Sequence, residues 1–360
     1  MKDLTKGKIS TLILGFAIPV FLGNLLQLTY SLVDTRIVGS FLGEDALAAV
    51  GATSTLSGLI IGFLLGLSNG FAIITAQKFG AKNIADMKKS FAMSLVIGTG
   101  ISILFTIAGL LFLKPILHFL NVPKHLVPVA KGYIAIIIAG LLATFLYDAC
   151  AATLRAIGDA VTPLIILAIS VALNIVGDLF FVVVLKTGVK GAAIATVLAQ
   201  IIAFVICWIY MIRKYEILRL QKEEFKDPSP IMVKEMISAG MSMGFMSSLV
   251  NIGTLTLQTA INKLGKDIII AHTAARKITE IFMIMFSVFG QTMATYCGQN
   301  MGAGKIDRVK RGIWLAIVYT AIWSGLTIIA SYTIGGWLVY LVTGSHNKTV
   351  ILNATNYLKF

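Results

Sequence analysis

Four oxygen-bearing side chains lie inside long apolar stretches of this sequence. Asp34 lies late in the first stretch (YSLVDTRIVG), Asn174 and Asp178 in the fifth (VALNIVGDLFF), and Thr196 in the sixth. Asn174 and Asp178 are four residues apart, so they share one face of a helix. A charged group at membrane depth costs about 2.5–3.5 kcal/mol on insertion scales, which makes each carboxylate a functional candidate. Such oxygen ligands suit a proton or a hard cation, and sodium could bind at all four.

Each of these residues also has a purely structural interpretation. A buried carboxylate can be held by a neighbouring helix, and an intramembrane asparagine often only bridges two helices. A threonine can hydrogen-bond to the backbone of its own helix. The sequence therefore predicts a cation site without excluding a structural cluster.

Two further charges, Lys277 and Glu280, lie in the apolar stretch AARKITEIF. They are three residues apart and can pair on one helix face, whereas Arg276 is expected to point elsewhere. A neutral structural pair and a pair that faces a substrate are both compatible with this spacing. We take both residues as candidate substrate contacts.

The fourth apolar stretch carries the remaining candidates. Tyr133 and Tyr147 are expected to face a substrate cavity, although aromatic residues in such stretches usually serve packing. Asp148 fits either a proton path or a contact with a neighbouring helix. Arg155 and Asp159 are expected to stabilise the loop that follows, through contacts at the helix end.

The elements that must position these residues are membrane-spanning helices. The 360 residues are 57% hydrophobic and 13% charged, about half the charge of a soluble domain, and the mean hydropathy is +0.89. The apolar runs exceed the roughly 18–20 residues that cross a bilayer. The sequence predicts an all-α polytopic membrane protein with nine spans: about 10–38, 46–77, 90–117, 126–156, 161–186, 190–213, 232–261, 268–299 and 308–343.

The basic residues between the spans predict the orientation. Eighteen Lys and Arg residues fall in the N-terminal segment, the even-numbered loops and the linker, and seven fall in the odd-numbered loops. The positive-inside bias places the N-terminus in the cytoplasm of a multi-pass protein in the cell membrane. The net charge of +14 is explained by this bias, so we expect no nucleic-acid partner.

The chain also repeats itself at an offset of 222 residues. QKFGAKNIADMKK (77–89) returns as QNMGAGKIDRVKR (299–311), with Gly80 matched to Gly302, and FLGEDALAAVGA (41–52) returns as KLGKDIIIAHTA (263–274). Tandem membrane repeats are typical of secondary transporters.

The repeat predicts two pseudo-symmetric six-helix lobes. Residues 1–213 would form the first lobe with six transmembrane helices, and 214–230 a cytoplasmic linker. Residues 231–360 would form part of the second lobe, with about three transmembrane helices and the start of a fourth, so the second lobe is truncated in this chain. The alternative is a genuine nine-span protein.

Several kinds of chemistry find no support. Cys150, Cys207 and Cys297 all fall in apolar spans without metal-ligand spacing. No glycine-rich phosphate loop and no nucleophile constellation is present. We therefore expect neither an enzyme nor a cofactor beyond a coupling ion, sodium or proton.

Longer segments resemble the MATE (multidrug and toxic compound extrusion) family. They are LLQLTYSLVDTRIVGSFLG, ATLRAIGDAVTPL, NIVGDLFF and the paired QKFGAKN and GQNMGAGKIDRV. The resemblance implies two six-helix lobes around a central cavity, and export of organic cations in exchange for sodium or protons. It also implies a cation site at Asp34, Asn174, Asp178 and Thr196. The sequence departs from the family pattern at Arg36, where an apolar residue is more usual. We expect the Arg36 side chain either to extend outward from the end of the span or to neutralise Asp34 in part.

Three functions follow from these observations. The first is a monomeric, cation-coupled antiporter that exports mostly cationic drugs by alternating access. The alternative is a flippase for lipid-linked precursors, which would need more intramembrane Arg and Lys than Arg36, Arg276 and Lys277. A non-transporting sensor or scaffold is the third.

Overall fold

The computed structural model describes residues 2–120, 122–261, 266–343 and 348–359. These residues form thirteen α-helices and no strand, which confirms the predicted all-α class. The helices are α1 Ile9–Leu42, α2 Glu44–Gly80, α3 Ile84–Leu111, α4 Leu113–Phe119, α5 Val127–Ala139, α6 Leu141–Ala156, α7 Val161–Asp178, α8 Val189–Lys214, α9 Pro230–Ile261, α10 Lys266–Gly302, α11 Ile306–Thr333, α12 Gly335–Thr343 and α13 Lys348–Leu358. A stretch of π-helix, Leu179–Val184, continues α7.

The nine predicted spans correspond to these helices, but three of them are broken. The third breaks at Phe112 and the ninth at Ile334, and the fourth bends by 43° at Gly140 between α5 and α6. Gly140 lies against Val197 of α8, where a Cβ would overlap the valine side chain. The bend therefore depends on packing between helices that the hydropathy pattern does not show.

Seven helices within the described residues are long and apolar enough to cross a membrane, and the bent pair α5–α6 makes an eighth. The sequence predicted α9 as a membrane span. This helix is long enough to cross a membrane, but it does not meet the criterion of apolarity. Its middle, MSMGFMSSLVNIG, carries several small polar residues that lower its apolarity. This helix packs extensively along α2, so part of its surface faces protein rather than lipid.

The helix boundaries repeat with the same offset as the sequence. Helix α2 ends at Gly80 and α10 ends at Gly302, and α3 and α11 match at both ends. The break that follows α3 at Phe112 returns after α11 at Ile334. The internal duplication is thus a property of the secondary structure as well as of the sequence.

The two repeats cross closely at the ends of α2 and α10. A Cβ on Gly80 would overlap the backbone carbonyl of Gln299, and a Cβ on Gly302 would overlap that of Gln77. These four residues are two pairs related by the 222-residue offset, so the crossing has an approximate two-fold symmetry. Small residues let membrane helices approach to backbone contact, and here only glycine fits on each side.

The N-terminal segment closes over this crossing. The Leu4 N–H donates to Gln299 Oε1 (2.9 Å), and Asn300 Nδ2 donates to the Leu4 carbonyl (3.2 Å). Gln299 Nε2 donates to the carbonyl of Ala156 at the end of α6 (2.8 Å). Lys305 Nζ donates to the Thr5 carbonyl (2.8 Å). These bonds join both repeats at the end of the bundle that is predicted to be cytoplasmic.

Candidate functional site

The structure brings Asp34, Asn174, Asp178 and Thr196 together where α1, α7 and α8 meet. We orient the Asn174 amide so that both its nitrogen and its oxygen have hydrogen-bond partners. In this orientation Nδ2 donates to Asp178 Oδ2 (3.0 Å). Its oxygen then accepts from the Thr196 N–H (3.1 Å). Asn174 and Asp178 are buried, at 3% and 0% exposure, so this arrangement is shielded from bulk solvent. We call these four residues the carboxylate cluster.

The carboxyl groups of Asp34 and Asp178 interact with each other directly. A hydrogen bond between them would require a proton on one of them, since two carboxylates cannot donate to each other. Asp34 Oδ1 and Asp178 Oδ1 are both buried and accept no hydrogen bond from the rest of the described structure. Orphaned buried oxygens are costly, and a proton or a sodium ion would satisfy them. The donor set therefore fits either coupling ion.

Asp178 lies at the point where α7 changes to π-helical geometry. The helix changes to π geometry directly after Asp178, and single π-helical turns are frequent at functional sites. At the end of this π-helical stretch, the Phe181 carbonyl accepts two hydrogen bonds from Thr187, one from its hydroxyl (2.7 Å) and one from its N–H (3.0 Å). Gly177 lies next to Ala195, so α7 and α8 approach closely at this level.

Sequence reasoning missed Tyr30. Its hydroxyl lies 3.3 Å from the Thr196 hydroxyl, and it sits one helical turn before Asp34 on α1. The four-residue spacing from Asp34 is the sequence signal that could have found it. Thr196 also donates to the Ala192 carbonyl of its own helix (3.0 Å), so the structural interpretation holds for it as well.

The two tyrosines predicted to share a cavity lie in different places. Tyr133 packs against an apolar cluster that includes Val38 of α1 and Val182 of the π-helical stretch. Tyr147 lines a separate chamber, and its hydroxyl donates to the Pro163 carbonyl (3.4 Å). Between them α5 and α6 bend at Gly140, which turns the two side chains toward different surroundings.

This chamber is partly open to its surroundings. Its polar lining comes from α1, α6 and α10: Asn24, Gln27, Tyr147, Asp148, Arg155 and Gln291. Gln27 and Leu167 also line a smaller pocket that contains Asn174, Thr196 and Tyr30. The chamber and the carboxylate cluster are therefore neighbours that share a wall.

Arg155 lines this chamber instead of stabilising the following loop as predicted. Its guanidinium donates to Asn69 Oδ1 on α2 (3.2 Å). Asp159 does stabilise the loop, because it accepts from the Thr162 N–H (3.0 Å), the Thr162 hydroxyl (2.6 Å) and the Tyr215 hydroxyl (2.6 Å). Burial alone would raise the pKa of Asp159, but these hydrogen bonds outweigh it and lower that pKa below the usual carboxyl range.

Glu280 is paired with two cations on α10. Lys277 Nζ lies 3.1 Å from Glu280 Oε2, as the spacing predicted. The expectation that Arg276 points elsewhere is wrong, because Arg276 Nη2 lies 3.3 Å from Glu280 Oε1. One carboxylate between two basic groups is already satisfied, which reduces its capacity to bind a cationic substrate.

Arg36 is exposed, and the described residues show no ion pair between it and Asp34. Of the two expectations for this residue, the outward-extended side chain is the one observed. Among the described residues, Arg36 therefore does not neutralise the carboxylate cluster by direct pairing.

A repeated helical bundle with carboxylates in its interior, beside a chamber, is the architecture of a secondary membrane transporter. The chain belongs to the MatE family: the family model matches residues 19–180 and again 242–360. The double match follows the internal repeat, and the predicted family is confirmed.

Known relatives agree with this assignment. The chain is 32% identical to the probable multidrug resistance protein YpnP of Bacillus subtilis (strain 168) over 311 residues, 85% of this chain and 68% of the relative. It is 28% identical to the probable multidrug resistance protein YoeA of the same organism over 341 residues, 91% of this chain and 70% of the relative. A solved multidrug resistance MATE family transporter of the MOP superfamily, in its outward-facing conformation, shares the fold with a TM-score of 0.90 at 22% identity, covering 99% of this chain and 79% of that one.

Proposed function

We propose that the protein is a cation-coupled antiporter that exports small organic, mostly cationic compounds by alternating access. The observation that carries the proposal is the pair of carboxylates, Asp178 buried and Asp34 half-buried, each with a buried oxygen that has no partner, beside a polar chamber. The multidrug resistance proteins among its relatives support the choice of substrate class.

In this proposal the coupling ion, a proton or sodium, enters the carboxylate cluster from outside. Two facing carboxylates in a low dielectric repel each other, so loading one cation stabilises their close approach. Because Gln27 and Leu167 line both the cluster pocket and the chamber, a shift of α1 or α7 on loading would reshape the substrate site. Coupling requires that the ion binds the two conformations unequally.

The proposal includes three further statements. The protein acts in the cell membrane with its N-terminus in the cytoplasm, as the loop charges predict. It acts as a monomer, because one pair of repeats can form the cavity by itself. The quartet Asp34, Asn174, Asp178 and Thr196 binds the coupling ion.

Ethidium efflux from proteoliposomes tests this function. Full-length protein would be reconstituted and given an imposed sodium or proton gradient, with Asp34→Asn and Asp45→Asn in parallel. Asp45 is an exposed residue in the first turn of α2, so it controls for the loss of one carboxylate. We expect one gradient to drive efflux, Asp34→Asn to abolish it and Asp45→Asn to leave it near the wild-type rate. Equal gradient-driven efflux from Asp34→Asn would contradict the proposal.

The flippase alternative has less support. A site for a lipid-linked pyrophosphate needs several basic groups, and Arg155 is the one basic side chain among the residues that line the chamber. Absence of efflux under either gradient, with correctly inserted protein, would favour that alternative.

A further inference from the structure

A groove runs along the surface of the bundle between α1 and α11, and we call it the lateral groove. It consists of two depressions that follow each other along both helices. The first lies between Ile9 of α1 and the first turns of α11, at Lys310, Arg311 and Trp314. The second begins about one turn further on and is lined by Leu14, Ile18 and Phe21 of α1 and by Ile322, Trp323 and Leu326 of α11. No described residue lines both this groove and the chamber.

The two parts of the lateral groove differ in chemistry. In the second part Ile18, Ile322 and Leu326 are more than half exposed, so an apolar surface faces outward. The first part carries Lys310 and Arg311, both exposed, beside the exposed indole of Trp314. Tryptophan is enriched at the level of lipid headgroups. Because α1 and α11 both begin at the end of the bundle predicted to be cytoplasmic, the basic part lies at headgroup level and the apolar part at acyl-chain level.

The two basic side chains have no acidic partner within the described residues. Neither Lys310 nor Arg311 forms an ion pair there. Asp307 precedes them by one helical turn and is itself exposed, without an ion pair to either. The first part of the groove therefore presents two unneutralised positive charges.

The internal repeat shows what an occupied version of this place looks like. At the offset of 222 residues, Lys310 and Arg311 correspond to Lys88 and Lys89 of α3. There the linker between the repeats supplies an acidic group, because Lys88 Nζ lies 3.9 Å from Glu224 Oε1. The second repeat has no such carboxylate among the described residues, so an anion from outside the protein fits in its place.

The repeat also shows that an apolar face at this position stays open. Ile322 and Leu326 correspond to Gly100 and Leu104 of α3. Nothing lies within 4 Å of a Cβ added to Gly100, and Leu104 is exposed, although α5 and α6 both pack against α3. In a membrane, such a surface is in contact with acyl chains, which are as apolar as leucine.

We infer that the lateral groove binds an anionic phospholipid of the bilayer. Its phosphate pairs with Lys310 and with Arg311, whose guanidinium suits two parallel hydrogen bonds to phosphate oxygens. One acyl chain then lies along Ile18, Ile322 and Trp323. Arg311 and Leu326 are separated by about 22 Å along the helix axis, which is half of the roughly 40–45 Å of a bilayer with its headgroups. The bound lipid thus contacts one helix from each repeat. This inference goes beyond the proposed export and does not rest on it.

Quenching of Trp323 fluorescence by brominated lipids tests the inference. Full-length protein that retains Trp323 as its one tryptophan, with Trp208, Trp314 and Trp337 replaced by Phe, would be reconstituted in phosphatidylcholine vesicles. Increasing fractions of phosphatidylglycerol or phosphatidylcholine, both brominated in the middle of the acyl chains, would then be compared. These two quenchers differ in headgroup charge and share the same chains. Elution and circular dichroism profiles would establish that each variant is folded.

The variant Lys310→Gln/Arg311→Gln removes both charges of the groove. Lys222→Gln/Lys226→Gln is its matched control, because both lysines are exposed in the linker, on the side of the membrane predicted to be the same. The exchange Lys310→Arg/Arg311→Lys keeps both charges in place.

We expect brominated phosphatidylglycerol to quench Trp323 with an apparent affinity at least about fivefold higher than brominated phosphatidylcholine, the contribution of one basic residue near an anionic lipid. Lys310→Gln/Arg311→Gln should make the two lipids equal, whereas the linker control and the charge-conserving exchange should keep the preference. Added salt should weaken the preference in wild-type protein, and this measurement decides if the glutamine variant does not fold.

Three results would overturn the inference. Equal quenching by both lipids in wild type would mean ordinary contact with lipid and no headgroup site. A preference that persists in Lys310→Gln/Arg311→Gln would assign the headgroup contact to other residues. Quenching by neither lipid would mean that a second copy, or another segment of the full-length protein, covers the groove. The readout is binding, so the proposed antiport stands or fails by its own efflux experiment.

Discussion

Asn174 donates to Asp178 over 3.0 Å across one turn of α7, and the same amide accepts from Thr196 on α8. One neutral side chain thus orients a carboxylate and fixes two helices relative to each other. Because both the NH2 and the oxygen of this amide have a buried partner, its replacement leaves partners unsatisfied on both sides. The carboxylate cluster depends on Asn174 for its geometry rather than for charge.

Replacing Asn174 with alanine tests this dependence. We expect the affinity for the coupling ion to fall about 10- to 100-fold, as for other residues that orient a ligand without being the main charge. The concentration of sodium or protons that gives half-maximal efflux would measure it. Asn251→Ala is the matched control, because within the described residues Asn251 donates to its own helix alone, at the Ser247 carbonyl (3.0 Å). An unchanged ion dependence in Asn174→Ala would show that Asn174 has no positioning role.

Gly302→Ala should destabilise the fold at the crossing of α2 and α10. A Cβ there would overlap the Gln77 backbone, and overpacking of this kind costs about 1–3 kcal/mol. Gly100→Ala, in α3, provides the control because nothing lies within 4 Å of its added Cβ. A lower thermal midpoint for Gly302→Ala than for Gly100→Ala is the expected result, and equal midpoints would argue against the close crossing.

Gln299→Leu should release the N-terminal segment. Its side chain accepts from the Leu4 N–H and donates to the Ala156 carbonyl, so the substitution removes both bonds at once. Hydrogen exchange followed by mass spectrometry would measure the effect. The amides of residues 2–8 should exchange about tenfold faster or more, while the amides of α3 remain unchanged. Unaltered protection of the segment would mean that other contacts hold it.

Asp159 should contribute to stability in a pH-dependent way. Its pKa is lowered, so its stabilising hydrogen bonds are fully present above the usual carboxyl pKa of about 4 and are lost as the pH falls through the lowered value. Asp159→Asn should therefore lower the thermal midpoint at neutral pH, by an amount corresponding to about 1–3 kcal/mol. The gap between variant and wild type should close in acid; a gap that does not change with pH would contradict this account.

Much of the fold was accessible from the sequence, because a membrane restricts the possible elements. Long apolar runs can only be helices in lipid, and the offset of 222 residues predicted that α10 and α11 would repeat α2 and α3. The carboxylate cluster was predicted because carboxylates are rare at membrane depth and helical spacing placed Asn174 and Asp178 on one face. The family assignment followed from the same residues.

Only the tertiary structure shows the features that depend on packing between helices far apart in the sequence. The bend at Gly140 reflects contact with Val197, and it separates Tyr133 from Tyr147. Arg155 turns into the chamber because Asn69 of another helix accepts its hydrogen bond, and Gln27 joins the chamber to the carboxylate cluster. Helical periodicity gives the face of a residue within its own helix, but it does not give the rotation of that helix against its neighbours. Those rotations are set by the shapes of residues far apart in the chain, and they decide which polar groups share a cavity.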